Sequence, residues 1–340
     1  MTGEPAVLPA ATRRPQQQTP PRRRGSVRRS SHIGVRWSDA TADSSSELLV
    51  HGAVQDAVTD ADGIGQVADA ATVDCGIGPD RTVTFITADP DEPRLRTLVG
   101  HGARNGWRAA ARGIVGADSL LGTVLDDVPI AVMLSSYGAL RQGSLDVTSV
   151  RPLMLHMRDL CAGWAHDATP MRRLDAGDEM ALPGVVLAPV DQQTDPLAAE
   201  ARPPMVAGEV RRARRLDVTP GKRVRIDATF RDTWRDPGGR EGILHEYVLT
   251  AALDGYGVVA SIHAEPRVLP YRECSLAAAS SQQLVGRHIE EVADAVRAAA
   301  GTSTCTHLDD LLRSLVAVPA LVTSFSVGGY GRAPRPGADD

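Results

Sequence analysis

The sequence predicts an α+β fold made of two related halves, each a short antiparallel sheet with covering helices. Three observations lead to this prediction. Residues 222–234 alternate apolar and polar side chains with a period of two, which is typical of a half-buried strand. Residues 285–316 carry apolar side chains at spacings of three and four, which is typical of helices. Several short stretches of the first half recur, in the same order, in the second half.

The composition indicates a globular protein with an unevenly distributed charge. The chain has 340 residues, a length typical of two domains, with 42% hydrophobic and 23% charged residues. Eight arginines and one glutamate give residues 1–37 a net charge of +7, which leaves −12 for the other 303 residues because the whole chain carries −5. An acidic folded part argues against a nucleic-acid partner. We expect a cytoplasmic protein without membrane spans, because we find no leader and no long apolar run.

Changes in composition divide the chain. Residues 1–24 are rich in proline, glutamine and arginine, which predicts a disordered basic arm. Residues 25–181 form the first α+β half. Residues 182–207 are polar and proline-rich, which predicts a linker. Residues 208–325 form the second half, and residues 326–340 a disordered tail.

Alternating patterns and turn residues predict the elements of each half. In the first half, strands are expected around residues 48–54, 67–75 and 83–85, followed by helices over 94–115 and 150–164. In the second half, strands are expected over 222–234, 243–253 and 258–268. A helix should follow from Ser275, as its cap, to Gly301, and another should be capped by Thr304 or Thr306.

The recurring stretches predict an internal duplication. Gly-x-Val-Arg-Arg occurs at Gly25 and Gly208; the other four pairs of matches begin at Gln55 and Arg231, Ala88 and Ala264, Leu98 and Leu284, and Leu125 and Leu308. Chance matching in a sequence rich in alanine, arginine and aspartate is the alternative. If the duplication is real, the first half lacks a counterpart of Cys305-x-His307 and has Pro93 or Arg94 in place of Cys274. The second half should then carry the site.

Cys274, Cys305 and His307 are predicted to lie at helix entrances. Free N–H groups and the helix dipole there favour a thiolate. The four cysteines, which include Cys75 and Cys161, are too widely spaced for a secreted disulfide framework. The alternative is that Cys274 and Cys305 are small buried hydrophobic residues and that His307 merely begins a helix.

Residues 25–322 resemble the family called domain of unknown function 2889. The resemblance is carried by these stretches: GSVRRSSHI, LDDVPIAVML, CAGW at Cys161, FRDTW at Phe230, HEY at His245, RVLPYREC at Arg267 and GTSTCTHL at Gly301. It implies domain boundaries but no reaction.

The second half also resembles the U-type iron–sulfur scaffold proteins. Those proteins have antiparallel strands, then a cysteine before an Ala/Ser-rich helix, and a second helix that begins with a His-Cys pair. Here the corresponding text is CSLAAASS at Cys274 and Cys305-Thr306-His307. The resemblance implies a further ligand from a strand, at His245 or Glu246. It also implies that the Cys274 and Cys305 sulfurs lie within ~4 Å of each other, the reach of a shared metal with ~2.3 Å bonds.

The sequence therefore predicts a metal site of Cys274, Cys305, His307 and His245 that binds zinc or iron. Serine at Cys274 or Cys305 should release the metal, whereas serine at Cys75 or Cys161 should not. Three functions stay open: a metal- or sulfur-handling protein, a zinc- or thiol-dependent enzyme acting on a small catabolic substrate, and a structural dimerisation protein. The expected partner is a metal or a small molecule. The sequence leaves open whether the protein is a monomer or a homo-oligomer. No substrate follows from the sequence.

Overall fold

The structure is a computed structural model. It describes residues 7–8, 12–39, 46–141, 143, 145, 147–178, 182–183, 185–188, 197 and 204–328. The predicted C-terminal tail, apart from residues 326–328, and most of the predicted linker lie outside these residues.

The described chain is dominated by one large antiparallel sheet. Its strands and a separate two-residue pair have these bounds: β1 Val7–Leu8, β2 Thr12–Arg13, β3 Ser26–Trp37, β4 Leu48–Thr59, β5 Gly65–Ile77, β6 Val83–Asp89, β7 Leu182–Pro183, β8 Val186–Leu187, β9 Val210–Thr219, β10 Val224–Arg235, β11 Glu241–Leu253 and β12 Val259–Leu269. The sheet has the order β2-β12-β11-β10-β9-β3-β4-β5-β6, with β8 beside β11, whereas β1 pairs in parallel with β7. The mixed fold with an antiparallel sheet is as predicted.

Two four-stranded meanders make up this sheet. Strands β3 to β6 form the first and β9 to β12 the second. The first strands of the two meanders pair with each other, from Val27 opposite Val218 to Val35 opposite Val210. This pairing joins the two halves into one continuous sheet, so the prediction of a separate short sheet in each half is wrong.

Each meander is followed by a 3₁₀ helix and then by α-helices. The first set comprises the 3₁₀ helix Pro93–Leu98, α1 Trp107–Val115, α2 Leu120–Leu125, α3 Val128–Arg141, α4 Val147–Leu155, the 3₁₀ helix Ala162–Trp164 and α5 Thr169–Asp175. The second comprises the 3₁₀ helices Arg272–Leu284 and Ile289–Glu291, α6 Val292–Ala298, α7 Thr306–Arg313, the 3₁₀ helix Ser314–Ala317 and α8 Val318–Val327.

The predicted continuous helix from Ser275 to Gly301 is wrong. The chain forms a 3₁₀ helix with Tyr271 at its N-cap, leaves it at Val285 and re-enters helix only at Ile289. Gly286 has φ +84°, and its amide donates to the carbonyl of Val259, so the chain returns to the sheet between the two pieces. The cap of α7 also differs from the prediction, because Cys305, not a threonine, occupies that position.

The helices cover one face of the sheet: α3 packs on β3, β4 and β9, and α8 packs on β3 and β9. Among the described residues, three hydrophobic clusters are found: a large one built mainly from the second half, a large one built mainly from the first half, and a small one of Leu140, Val150, Met171 and Leu174. The alternation predicted for residues 222–234 is confirmed, because Ile226, Ala228 and Phe230 are buried in the core of the second half. Described residues 12–24 of the predicted disordered arm contact the sheet: Thr12 and Arg13 pair with β12, and the Gln16 amide donates to Glu246 Oε1 at 2.7 Å.

Two helical stretches, Leu120–Arg141 and Thr306–Val327, are long and apolar enough to cross a membrane by length and composition alone. Core helices of soluble proteins pass the same test. Each stretch contains a buried aspartate, Asp127 in the first and Asp310 in the second, that pairs with arginines of the sheet. Packing against the sheet is therefore sufficient to explain their apolar character.

Candidate functional site

One cavity, of about 210 Å³, brings together the chemically distinctive side chains of the chain. Helices α3 and α4 contribute apolar side chains to its wall. Other parts of the wall are lined by cysteines and histidines: Cys161, Cys274, Cys305, His245 and His307. All four residues predicted from the sequence thus line the same cavity. Cys161, which was predicted to lie outside the site, joins them.

The three cysteines come from separate segments of the chain. Cys274 lies in the first turn of the 3₁₀ helix Arg272–Leu284, Cys305 caps α7, and Cys161 precedes the 3₁₀ helix Ala162–Trp164. Each is at most 6% exposed. Cys75 lies apart in the core of the first half.

The segment that follows Cys161 contacts both of the other cysteine segments. The Ala162 amide donates to the carbonyl of Thr304, next to Cys305, at 2.8 Å. Gly163 lies against Cys274, and a Cβ atom at this glycine would stand 2.5 Å from the Cys274 Sγ. The absent side chain at Gly163 is therefore what allows the two cysteine segments to approach.

Burial keeps these thiols protonated. It raises the pKa of Cys305 to about 12 and the pKa of Cys274 well above its usual value, and charges on the neighbouring cysteines act in the same direction. The pKa of Cys161 is also raised by burial, although backbone N–H groups of Gly163 and Trp164 counteract the shift. The expectation that helix entrances favour thiolates is therefore outweighed by desolvation.

His245 and His307 form a stacked pair beside the cysteines. Their ring centroids are 3.8 Å apart. His245 Nδ1 lies 3.0 Å from Asp232 Oδ2, and His307 Nε2 lies 3.9 Å from the same oxygen. On its other side, His307 Nδ1 faces the Cys305 Sγ at 4.0 Å. The His307 ring thus lies between the Cys305 thiol and a buried carboxylate.

Asp232 is held as an anion by Arg212. Both are almost fully buried, and two hydrogen bonds join them, Nε to Oδ1 at 2.7 Å and Nη2 to Oδ2 at 2.9 Å. Burial alone would raise the pKa of Asp232, but the Arg212 charge and the hydrogen bonds from Arg212 and His245 outweigh it and hold this pKa well below its usual range. A fixed carboxylate orients the His245 ring and leaves its Nε2 as the free nitrogen.

His307 is neutral in this environment. Burial, followed by the charge of His245, lowers its pKa well below the usual value. Its Nε2 is buried without a hydrogen-bond partner. A buried polar atom without a partner is rare in folded proteins, and a bound ion or ligand would satisfy this nitrogen.

Ligand atoms of Asp232, His245 and His307 all lie within 4.8 Å of one another, a spacing that a metal ion could bridge after small movements. The Arg212 guanidinium already occupies both oxygens of Asp232 and repels a cation placed there. The imidazole nitrogens and the cysteine sulfurs are therefore the better donors.

Two residues of this site were missed or undervalued in the sequence. Cys161 stands in the CAGW stretch, which had been noted only as part of a family resemblance. Asp232 was not singled out as a site residue, because its position on a predicted strand does not show that it is buried.

Residues 210–320 match a family model described as Protein of unknown function (DUF2889). The match contains Cys274, Cys305, His245 and His307 but not Cys161, and it does not extend over residues 25–209 as the resemblance had suggested. No curated protein and no solved structure matches the chain. The similarity to iron–sulfur scaffold proteins is not supported by any of these comparisons. The DUF2889 match assigns no reaction, so the function has to be argued from the site.

Proposed function

We propose that this protein binds a zinc or iron ion through the thiols of Cys161, Cys274 and Cys305 and an imidazole of the His245–His307 pair. The observation that carries the proposal is the convergence of three cysteines, from three separate segments, on one cavity with two histidines. Thiolate and imidazole donors suit both metals.

The electrostatics of the site favour a metal ligand set over a free nucleophile. Buried thiols with raised pKa values are poor nucleophiles at neutral pH, and the lowered pKa of His307 disfavours the imidazolium that would stabilise a thiolate. A divalent cation supplies the missing positive charge, so that thiols deprotonate as they bind it. Sulfur handling, the other part of the sequence expectation, would use the same three thiols.

A metal-dependent enzyme is the second candidate. The observation that favours it is the remaining volume of the cavity, whose apolar wall continues from the cysteines to α3 and α4. A metal that also bound a molecule in this space would act as a Lewis acid there.

Metal content tests the proposal. Full-length protein is reconstituted with zinc or ferrous iron, and bound metal is measured by elemental analysis together with the metal–sulfur distance from X-ray absorption. About one equivalent is expected in the wild type, with bonds near 2.3 Å. Cys161→Ser, Cys274→Ser and Cys305→Ser should each lose most of the metal.

Cys75→Ser is the matched control, because Cys75 is a buried cysteine outside the cavity. It should retain the full metal content. Wild-type protein that stays metal-free after reconstitution, or Cys274→Ser protein that binds as the wild type does, would refute the proposal. Metal-free protein with a persulfide detected on one of the three cysteines would favour sulfur handling instead.

We also propose that the two halves are a duplication in which the second half acquired the site. Equivalent contacts support this proposal. Gly100 and Gly286 have φ values of +81° and +84°, and each donates its amide to the first residue of the strand before it, Val83 or Val259. Superposition of residues 25–135 on 208–322 tests it, and a poor overlay of the two meanders would contradict it.

A further inference from the structure

The cavity continues beyond the cysteines into a wall built from apolar side chains. Helices α3 and α4 and the turn after α4 contribute Leu140, Val150, Leu153, Met154 and Met157. No aspartate or glutamate is found among the described residues that line it. A space of about 210 Å³ corresponds to roughly seven water-sized groups at ~30 Å³ each.

Two arginines, Arg81 and Arg104, line the same cavity. They come from neighbouring loops, which the hydrogen bond from the Ala103 amide to the Arg81 carbonyl holds together at 2.9 Å. The Arg81 guanidinium packs over the Trp37 ring, 5.2 Å from its centroid. Stacking fixes the plane of this guanidinium and leaves its edge for a ligand.

The positive charge of these arginines is not balanced locally. Within the described part of the chain, no carboxylate lies within salt-bridge distance of Arg81 or Arg104, and Arg81 Nη1 is buried without a hydrogen-bond partner. Burial and then the charge of Arg104 lower the pKa of Arg81, as expected for two adjacent cations without an anion. Arg81 also adopts φ +66°, an unfavourable conformation for a residue with a side chain.

We infer that this cavity binds an organic carboxylate with an apolar body of about seven carbons, whose carboxylate pairs with Arg81 and Arg104. The apolar body would lie along α3 and α4. The inference goes beyond metal binding and does not depend on it, because it rests on residues that are not donors of the metal site.

The arginines at one end of the cavity and the apolar wall at the other select this ligand class. A guanidinium matches a carboxylate with two parallel hydrogen bonds, and such pairs are strongest where water is excluded. The apolar wall would bind a hydrocarbon chain but offers nothing to a sugar or a peptide backbone. The ligand of the cavity is therefore expected to be amphipathic and anionic.

Calorimetric titration of the full-length protein with octanoate, octan-1-ol and octylamine tests the inference. The three probes share an eight-carbon chain and differ in the charge of the head group. Octanoate should bind at least about tenfold more tightly than the alcohol, the difference expected for a charge-assisted hydrogen bond, and the amine should bind most weakly.

Three variants locate the binding site. Arg104→Gln, a change at an exposed residue, should weaken octanoate binding about tenfold and leave octan-1-ol binding unchanged. Arg225→Gln is the matched control, because Arg225 is exposed on β10 and does not line the cavity. Met154→Trp should fill the apolar part and abolish binding of both probes, and its circular dichroism spectrum checks that it is folded.

Equal affinity for octanoate and octylamine would overturn the inference, as would the absence of octanoate binding. Unchanged octanoate binding in Arg104→Gln would overturn it as well. Zinc content measured on the same variants separates the two proposals, because Arg104→Gln should retain its metal.

Discussion

Two buried Arg–Asp pairs occupy corresponding places in the two halves of the sheet. Arg29 in β3 holds Asp56 in β4 through two hydrogen bonds of 2.8 Å, and Arg212 in β9 holds Asp232 in β10 through bonds of 2.7 and 2.9 Å. In both cases the pair joins the first two strands of a meander and uses Nε and Nη2 in the same way.

The surroundings of the two pairs differ. Asp56 is paired with Asp69 on the neighbouring strand β5, whereas Asp232 is paired with His245 on the neighbouring strand β11. The remaining Nη1 of Arg29 donates to the backbone carbonyl of Asp118, whereas that of Arg212 donates to the buried carboxylate of Asp310. The Arg–Asp pair of the first half thus anchors a loop, whereas the pair of the second half orients an imidazole beside three thiols.

Removal of the two arginines should reveal this difference most strongly. Arg212→Met leaves Asp232 and Asp310 with less compensating charge in the interior, and the free energy of unfolding should fall by about 3–5 kcal/mol. Arg29→Met should cost less, near the lower end of this range, because the side chain of Asp56 is 11% exposed whereas that of Asp232 is fully buried. Urea unfolding monitored by circular dichroism measures both. Equal losses would show that the Asp310 contact adds nothing.

Substitution of the two aspartates should separate support of the site from support of the fold. Asp232→Asn removes the carboxylate that orients His245 and should lower metal affinity about 10- to 100-fold, the usual effect of losing such a partner. Asp56→Asn should leave metal affinity unchanged. Competition with a chromophoric chelator provides the measurement. The same loss of affinity in both variants would indicate a general effect on folding.

The sequence Leu-Asp-Asp occurs at residues 125–127 and at residues 308–310. The first aspartates of these two stretches, Asp126 and Asp309, should affect stability differently as the pH changes. Burial and the charge of Asp310 raise the pKa of Asp309 to about 7, although Arg313 acts in the opposite direction. Because this folded-state pKa exceeds the unfolded value of ~3.9, ionisation of Asp309 destabilises the fold progressively as the pH rises from about 4 to above 7. Asp309→Asn should therefore raise the free energy of unfolding at pH 8, on the order of 1–2 kcal/mol, and change it little at pH 4.5.

Asp126, which follows Leu125 as Asp309 follows Leu308, serves as the control. It forms a 2.8 Å salt bridge with Arg112, so Asp126→Asn should destabilise the protein at pH 8. Urea titrations of both variants at the two pH values check the signs. Destabilisation by Asp309→Asn at pH 8 would mean that its carboxylate is stabilised by a partner.

The smallest effect should be the same in both halves. Gly100 and Gly286 have positive φ values, and a Cβ atom at either position would meet nothing within 4 Å. Alanine at each should therefore cost only the conformational penalty of about 1 kcal/mol. A clear difference between Gly100→Ala and Gly286→Ala, measured by thermal unfolding, would argue against equivalent backbone roles.

The periodicity of the sequence predicted the last three strands of each meander but neither β3 nor β9, whose side chains are buried on both faces of the sheet and therefore do not alternate. It also did not predict the form of the helices that carry the cysteines. The strand around residues 224–234 alternates regularly, so its buried face could be read directly. The apolar spacing after Cys274 looked helical across Gly286, but hydrogen bonds to β12 interrupt the helix there. These bonds depend on tertiary contacts, which periodicity within one segment does not report.

Only part of the candidate site was predicted, because the rest of it also depends on tertiary contacts. Cys274, Cys305 and His307 could be found because they begin helical segments. Cys161 reaches them only because Gly163 permits close contact with Cys274 from more than 100 residues away. The burial of Arg212 and Asp232 could not be foreseen either, since charged residues are normally solvated and only their mutual pairing allows them inside.

The pairing of β3 with β9 has a consequence for how the chain folds during synthesis. About 180 residues separate the two strands, so at ribosomal rates of 5–20 residues per second β3 waits roughly 10–40 s for β9. During that interval β3 is a sheet edge, and unpaired edges promote aggregation. Strand β3 carries a charged residue at this edge, Arg28, which later pairs with Asp217 of β9. The charges that eventually join the halves would also hinder premature association of nascent chains.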